Sequence, residues 1–246
     1  MNSFPHRSRS GFTLVELLVA IAIVIVLASL SMLGFSRIRS SANTATTMSN
    51  LRQLQTANIS YSIDHNGRYV NYSDTDTADI VTYWYRNFEF LAYLTGDEGL
   101  TGKKLADVNE DTVVPDKLLD PAAVRARQRY STRIAASFGM NHEFIQSTNK
   151  PDGSKEKFLR LSKLTNPSRT AAFITATDSA VRYASRGLWW TSPVEGKSTD
   201  GKMAFRHAKK AVVAYFDGST GLITQRDIAL VDSNGGSANL FWKGDQ

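Results

Sequence analysis

The chain has 246 residues, with 29 Lys and Arg against 23 Asp and Glu for a formal charge of +6, and it contains no cysteine. That length leaves room for a domain with its own core, and the lack of cysteine excludes disulfide staples, thiolate chemistry and Cys-ligated metals. So mild a positive excess does not by itself announce a nucleic-acid partner.

Residues 1–11 form a short basic leader, with His6, Arg7 and Arg9, that ends in Gly11. Phe12-Thr13-Leu14-Val15-Glu16 then opens an apolar run, and 17–36 contain no charged side chain. A helix over that run covers roughly 30 Å, the thickness of a bilayer's hydrocarbon core, so 12–36 is expected to enter a membrane. The leader's cations would hold the N-terminus in the cytoplasm. A secretory signal puts its small-residue cleavage site after the apolar region; here Gly11 precedes it, and the run is too long for an ordinary signal core. Glu16 adds an insertion penalty of up to ~3 kcal/mol and calls for something to neutralise it. A cut between Gly11 and Phe12 would supply a new α-amino group one helical turn away, in the same chain or in a neighbour. A plain signal anchor fits the leader equally well but leaves Glu16 unexplained.

Gly11 to Glu16, followed by Leu17-Leu18-Val19-Ala20-Ile21, resembles the cleavage and methylation site of type IV pilins and of the pseudopilins of type II secretion systems. The resemblance implies that a prepilin peptidase cuts between Gly11 and Phe12 and methylates the Phe12 nitrogen. It further implies a single-pass inner-membrane protein with an extracytoplasmic head. Its partners would be other pilin-like subunits, in a homo- or hetero-filament, and an inner-membrane assembly platform. In such a filament Glu16 would pair with a neighbour's Phe12 amine and set the axial step, a register device and not a source of stability.

After Ser36 the sequence stays free of Pro and Gly as far as Asp64, with Met48, Leu51, Leu54, Ile59 and Ile63 at helical spacings diluted by Thr and Asn. One helix from 12 to about 64 follows, about 80 Å long. Its continuation, 37–66, should pack on a globular α+β head, 67–246, with a small antiparallel sheet. Asp64-His65-Asn66-Gly67 supplies the stop, since Asn and Gly tolerate a left-handed cap. An extended piece at 68–72, a polar loop at 73–79 and a partly buried aromatic helix at 80–94 come next, closed by 96–102. The mainly acidic 97–120 and the arginines Arg125, Arg127, Arg129 and Arg133 read as a solvated face with local ion pairs. Blocks that meet between subunits are the sharper alternative. Short β-favouring runs at 171–175 and 211–216, with Asp217-Gly218-Ser219-Thr220 as a turn, give a hairpin over 211–224. Residues 194–202 read as a loop.

His207 is followed by nine residues and then Asp217-Gly218. This spacing resembles the signature of a prepilin-associated domain family named for it. Weaker local matches lie in 61–69, 137–141 and 165–168, and the cysteines usual in that family's heads are missing here. An extended strand would separate His207 from Asp217 by roughly 30 Å, so without a turn near Lys209-Lys210 they do not form a catalytic or metal pair. His207 should then bond local backbone and Asp217-Gly218 make the hairpin turn. Calcium is the more credible ion, with Asp217, Asp227 and Asp232 as hard oxygen ligands, although their spacing matches no compact loop. No cofactor is otherwise called for. Serine-nucleophile, Walker, dinucleotide and HExxH motifs are all missing, so nothing supports catalysis. The basic stretch 182–210, which holds Trp189 and Trp190, could take single-stranded DNA or a glycan by stacking, but tandem tryptophans are more often core, which makes nucleic acid an unfavoured partner. A membrane-anchored head that recognises glycan, DNA or an exported protein is the alternative to a filament subunit.

Overall fold

The computed structural model describes residues 12–75, 81–104, 113–125, 134–143, 146–149, 155–183, 189–190, 203–228 and 236–244. The chain divides into two compact units, Met1–Ser41 and Ala42–Gln246.

Helix α1, Leu14–Asp64, runs without a break for 51 residues. It stops where Asn66 and Gly67 take φ of 56° and 75° and the Gly67 N–H donates to the Ser62 carbonyl at 2.7 Å, the left-handed cap that Asn and Gly accommodate. Within the second unit α1 buries Leu51, Leu54, Ala57 and Tyr61. Of the Thr, Asn and Gln residues that dilute its apolar pattern, Thr47, Asn50, Gln55 and Asn58 are buried as well, and each finds a partner. The Asn50 amide donates to the Lys117 and Leu119 carbonyls, each at 2.8 Å, Gln55 donates to the Phe216 carbonyl at 3.0 Å, and Asn58 accepts the Val70 N–H at 3.0 Å. A buried amide left unpaired would cost about 1–3 kcal/mol, so these bonds fix which face of α1 meets the head.

The central sheet holds β3 (Phe138–Asn141), β6 (Ala171–Thr175), β7 (Ala180–Val181), β10 (Lys210–Tyr215) and β11 (Thr220–Thr224) in the order β11-β10-β6-β3-β7. All pairs are antiparallel except β3 with β7. It is therefore a mixed, mostly antiparallel sheet. Alternation along β10 serves two cores: Val212 and Ala214 join α1, while Ala211 and Val213 join Phe241 and Trp242 of a C-terminal helix. That helix is α4 (Gly236–Lys243), which follows α2 (Phe88–Thr95) and the short α3 (Pro121–Arg125). The described residues also form three two-stranded ribbons: β1 (Ser73–Thr75) with β2 (Val81–Tyr83), β4 (Gln146–Asn149) with β5 (Lys155–Phe158), and β8 (Trp189–Trp190) with β9 (Met203–Ala204).

Two sequence expectations change. The polar loop at 73–79 contains β1, and the aromatic helix expected over 80–94 begins only at Phe88, because 81–83 pair with 73–75 and Asn87 caps α2 by accepting the Phe90 N–H. Gly96 closes it in the left-handed region as expected. The expected loop at 194–202 lies outside the described residues.

Candidate functional site

At the head of the apolar run, Thr13 is the residue before the first turn of α1, and Glu16 lies three positions on. A Glu16 carboxylate oxygen accepts from the Thr13 N–H and from its hydroxyl, both at 2.9 Å, while the Glu16 N–H donates back to Thr13 Oγ1 at 3.2 Å. This reciprocal pair is a capping box, which satisfies donors that a helix start leaves orphaned. Glu16 thus has a local partner within its own chain, which the sequence reading did not anticipate; the plain anchor is no longer without a use for it. From Phe12 to Leu27 the large apolar side chains are all exposed in this unit, from Val19 at 49% to Phe12 at 86%. Gly11 lies outside the described residues. Among the described residues no helix is long and apolar enough to cross a membrane. The described side chains of the apolar run reach Ser29, and those at 30–34 and 36 fall outside.

The second constellation is a buried charge cluster in the head. Asp120 has no solvent-exposed surface. One of its carboxylate oxygens accepts from Thr47 Oγ1 at 3.0 Å and from the Ala122 N–H at 2.9 Å, and the other from Arg206 Nη1 at 3.3 Å. Arg206 also donates to the Ala136 carbonyl at 3.1 Å. His207 is 3% exposed, and its Nε2 stands 3.5 Å from Asp120 Oδ1, an ion-pair distance without hydrogen-bond alignment. Its Nδ1 lies 3.3 Å from Thr44 Oγ1. Burial pushes the Asp120 carboxyl up, but the His207 contact, the Arg206 guanidinium and the Ala122 N–H outweigh it and hold the group below the usual carboxylate range.

This placement corrects two expectations. The His207 ring does not bond local backbone; it reaches Thr44 and Asp120, far away in sequence. A turn does lie where contact with Asp217 would have required it, at Ala208 and Lys209 with φ of 50° and 64°, yet His207 and Asp217 are held by different partners. Asp120, counted with the acidic block on a solvated face, is instead buried and paired; the arginines at 127, 129 and 133 lie outside the described residues. Asp217-Gly218 does form the hairpin turn: Asp217 Oδ1 accepts from the Ser219 N–H at 2.9 Å and its hydroxyl at 2.6 Å, and Gly218 takes φ of +87°.

For calcium, Asp227 Oδ2 accepts from the Thr224 N–H and hydroxyl at 2.8 and 2.7 Å, a second capping box whose bonds hold its carboxyl low. Asp217 is likewise folded onto its own turn, and Asp232 lies outside the described residues. Among the described residues no group of three His, Asp or Glu could hold a metal ion. The backbones of Trp189 and Trp190 form β8, but their side chains lie outside the described residues.

Asp120, Arg206 and Thr13 are the residues that sequence reasoning missed. Thr13-x-x-Glu16 carries the capping-box spacing, and Asp120-Pro121 the signature of a helix start, so both were legible locally. The pairing of Asp120 with Arg206, 86 positions on, carries no local signal.

Residues 6–32 match the family model described as the prokaryotic N-terminal methylation motif. No curated protein and no solved structure matches the chain. The match spans Gly11, Phe12 and Glu16 and ends well before the head, so the signature from His207 to Gly218 rests on its spacing alone. The chain carries a prepilin-type methylation motif, which implies in general terms a pilin-like subunit with an inner-membrane-anchored N-terminal segment and an extracytoplasmic head, processed by a prepilin peptidase.

Proposed function

We propose that this chain is a pseudopilin or minor pilin-like subunit of a type II secretion or type IV pilus-like filament. The peptidase cuts between Gly11 and Phe12 and methylates the Phe12 nitrogen, and Glu16 then pairs with a neighbour's Phe12 amine during assembly. The observation that carries this reading is the methylation motif at the head of a helix whose apolar side chains from Phe12 to Leu27 are exposed all round. A helix apolar on every side needs a covering, either lipid or other helices. A filament core built from neighbouring copies of the same helix is a covering that also uses the cleaved amine and Glu16. The head, whose described charge network is turned inward, is read as a structural body that supplies subunit contacts.

Gly11→Val tests the processing step. The branched side chain should crowd the cut, so the full-length precursor should accumulate in the native host, as read by mass. Normal removal of the leader from Gly11→Val would count against cleavage at this bond.

A further inference from the structure

The spacing from His207 to Asp217-Gly218 is a motif that the N-terminal reading leaves unused. Its two ends bracket β10, and each end meets α1. At the first end His207 lies level with Lys210, the two exchanging backbone hydrogen bonds of 3.1 and 2.9 Å across the Ala208-Lys209 turn. From there the ring reaches Thr44, and its neighbour Asp120 takes the Thr47 hydroxyl, so one helical turn of α1 is gripped through two side chains. At the far end the Asp217-Gly218 turn brings the Phe216 carbonyl to Gln55 at 3.0 Å. A Cβ added at Gly218 would stand 3.7 Å from Ile59 Cδ1, so the backbone of the turn lies directly against the helix.

The lengths agree. From 210 to 216 an extended strand covers about 20 Å at ~3.3 Å per residue. From 44 to 55 a helix covers about 17 Å at ~1.5 Å per residue. Adding or removing one strand residue would shift the far contact by ~3.3 Å and turn the intervening side chains to the opposite core.

We propose that the His-to-Asp-Gly spacing is a ruler by which β10 clamps α1 at two points and fixes the axial register of the helix on the head. His207, backed by Asp120 and Arg206, is the positioning residue of one clamp, and the Asp217-Gly218 turn positions the Phe216 carbonyl for the other. Together they oppose a slip of α1 by one turn, about 5.4 Å, a kind of ratchet that packed helices can undergo. The clamps lie within the second unit and do not depend on the filament reading.

Hydrogen exchange read by mass spectrometry on the full-length chain in detergent tests the ruler independently of assembly. His207→Ala and Thr44→Val should each speed exchange at amides 44–50 by roughly tenfold, with less than about a twofold change at 55–62. Asp217→Ala and Gln55→Leu should show the reverse pattern. The His207→Ala, Thr44→Val double variant should add little to either single change, because both remove one contact. If His207→Ala fails to fold, Thr44→Val, which keeps the side-chain shape, carries the comparison. A uniform rise across both segments, or none at 44–50, would overturn the proposal. Neither result bears on the mature N-terminus, which tests the filament reading separately.

Discussion

Glu16→Gln is expected to be processed normally in the native host and yet to fail in assembly. The amide keeps an oxygen that can accept from the Thr13 N–H, as Gln does in other capping boxes, so the helix start should survive. What it loses is the charge. A neighbour's Phe12 amine would then enter an apolar core without its carboxylate, and breaking one partner of a buried ion pair typically costs ~3–5 kcal/mol. Insertion should not suffer, since removing a carboxylate lowers the cost of membrane entry. Glu16→Ala should fail likewise in assembly and also lose the cap, worth about 1 kcal/mol. The pair of variants separates the two roles of Glu16, because a purely local cap would leave Glu16→Gln near the wild type and make only Glu16→Ala weaker. In vivo cross-linking between subunits reads assembly, and mass reads leader removal. Wild-type cross-linking in Glu16→Gln would reject the pairing role and favour a membrane-anchored binding protein.

Asp120→Asn should be the most damaging single change in the head. The substitution keeps the shape and an acceptor for Thr47 and the Ala122 N–H, but it leaves the Arg206 guanidinium buried without that carboxylate. Such a loss costs ~3–5 kcal/mol, which for a unit of this size lowers the melting temperature by roughly 10 °C. Acid should narrow the gap. The folded Asp120 carboxyl is held below its ordinary value, so its contribution is fully present above the unfolded pKa of ~3.9 and is lost as pH falls through the lower folded value. Thermal unfolding of the full-length chain in detergent, followed by circular dichroism at neutral pH and below pH ~4, checks both statements. Equal melting temperatures at neutral pH would show that the buried pair is not holding the head.

The long helix, its left-handed stop, the hairpin around Asp217-Gly218 and the α+β class were legible in the sequence because each rests on local chemistry. A long run without Pro, and without Gly after Ser36, makes α1, Asn66-Gly67 ends it, and Asp217 folds its own turn. What escaped depends on contacts between distant segments. Residues 81–83 are strand only because 73–75 lie beside them, and the parallel neighbour β7 of β3 has no pattern of its own. Helix α4 starts with Gly236-Ser237-Ala238-Asn239, a weak helix-forming opening, and its place is fixed by burying Phe241 and Trp242 on the sheet. The candidate site divides in the same way. The N-terminal motif is contiguous and was read directly, whereas the cluster joining Asp120, Arg206 and His207 to Thr44 and Thr47 unites three stretches that nothing in the sequence links.

The most direct test of the central claim is the mass and N-terminal sequence of the mature protein isolated from membranes of the native host. The expected result is a chain that begins at Phe12 with one methyl group on its α-nitrogen. A chain that still begins at Met1, or one cut after the apolar run, would contradict processing as a pilin-like subunit and the assembly role of Glu16 that depends on it.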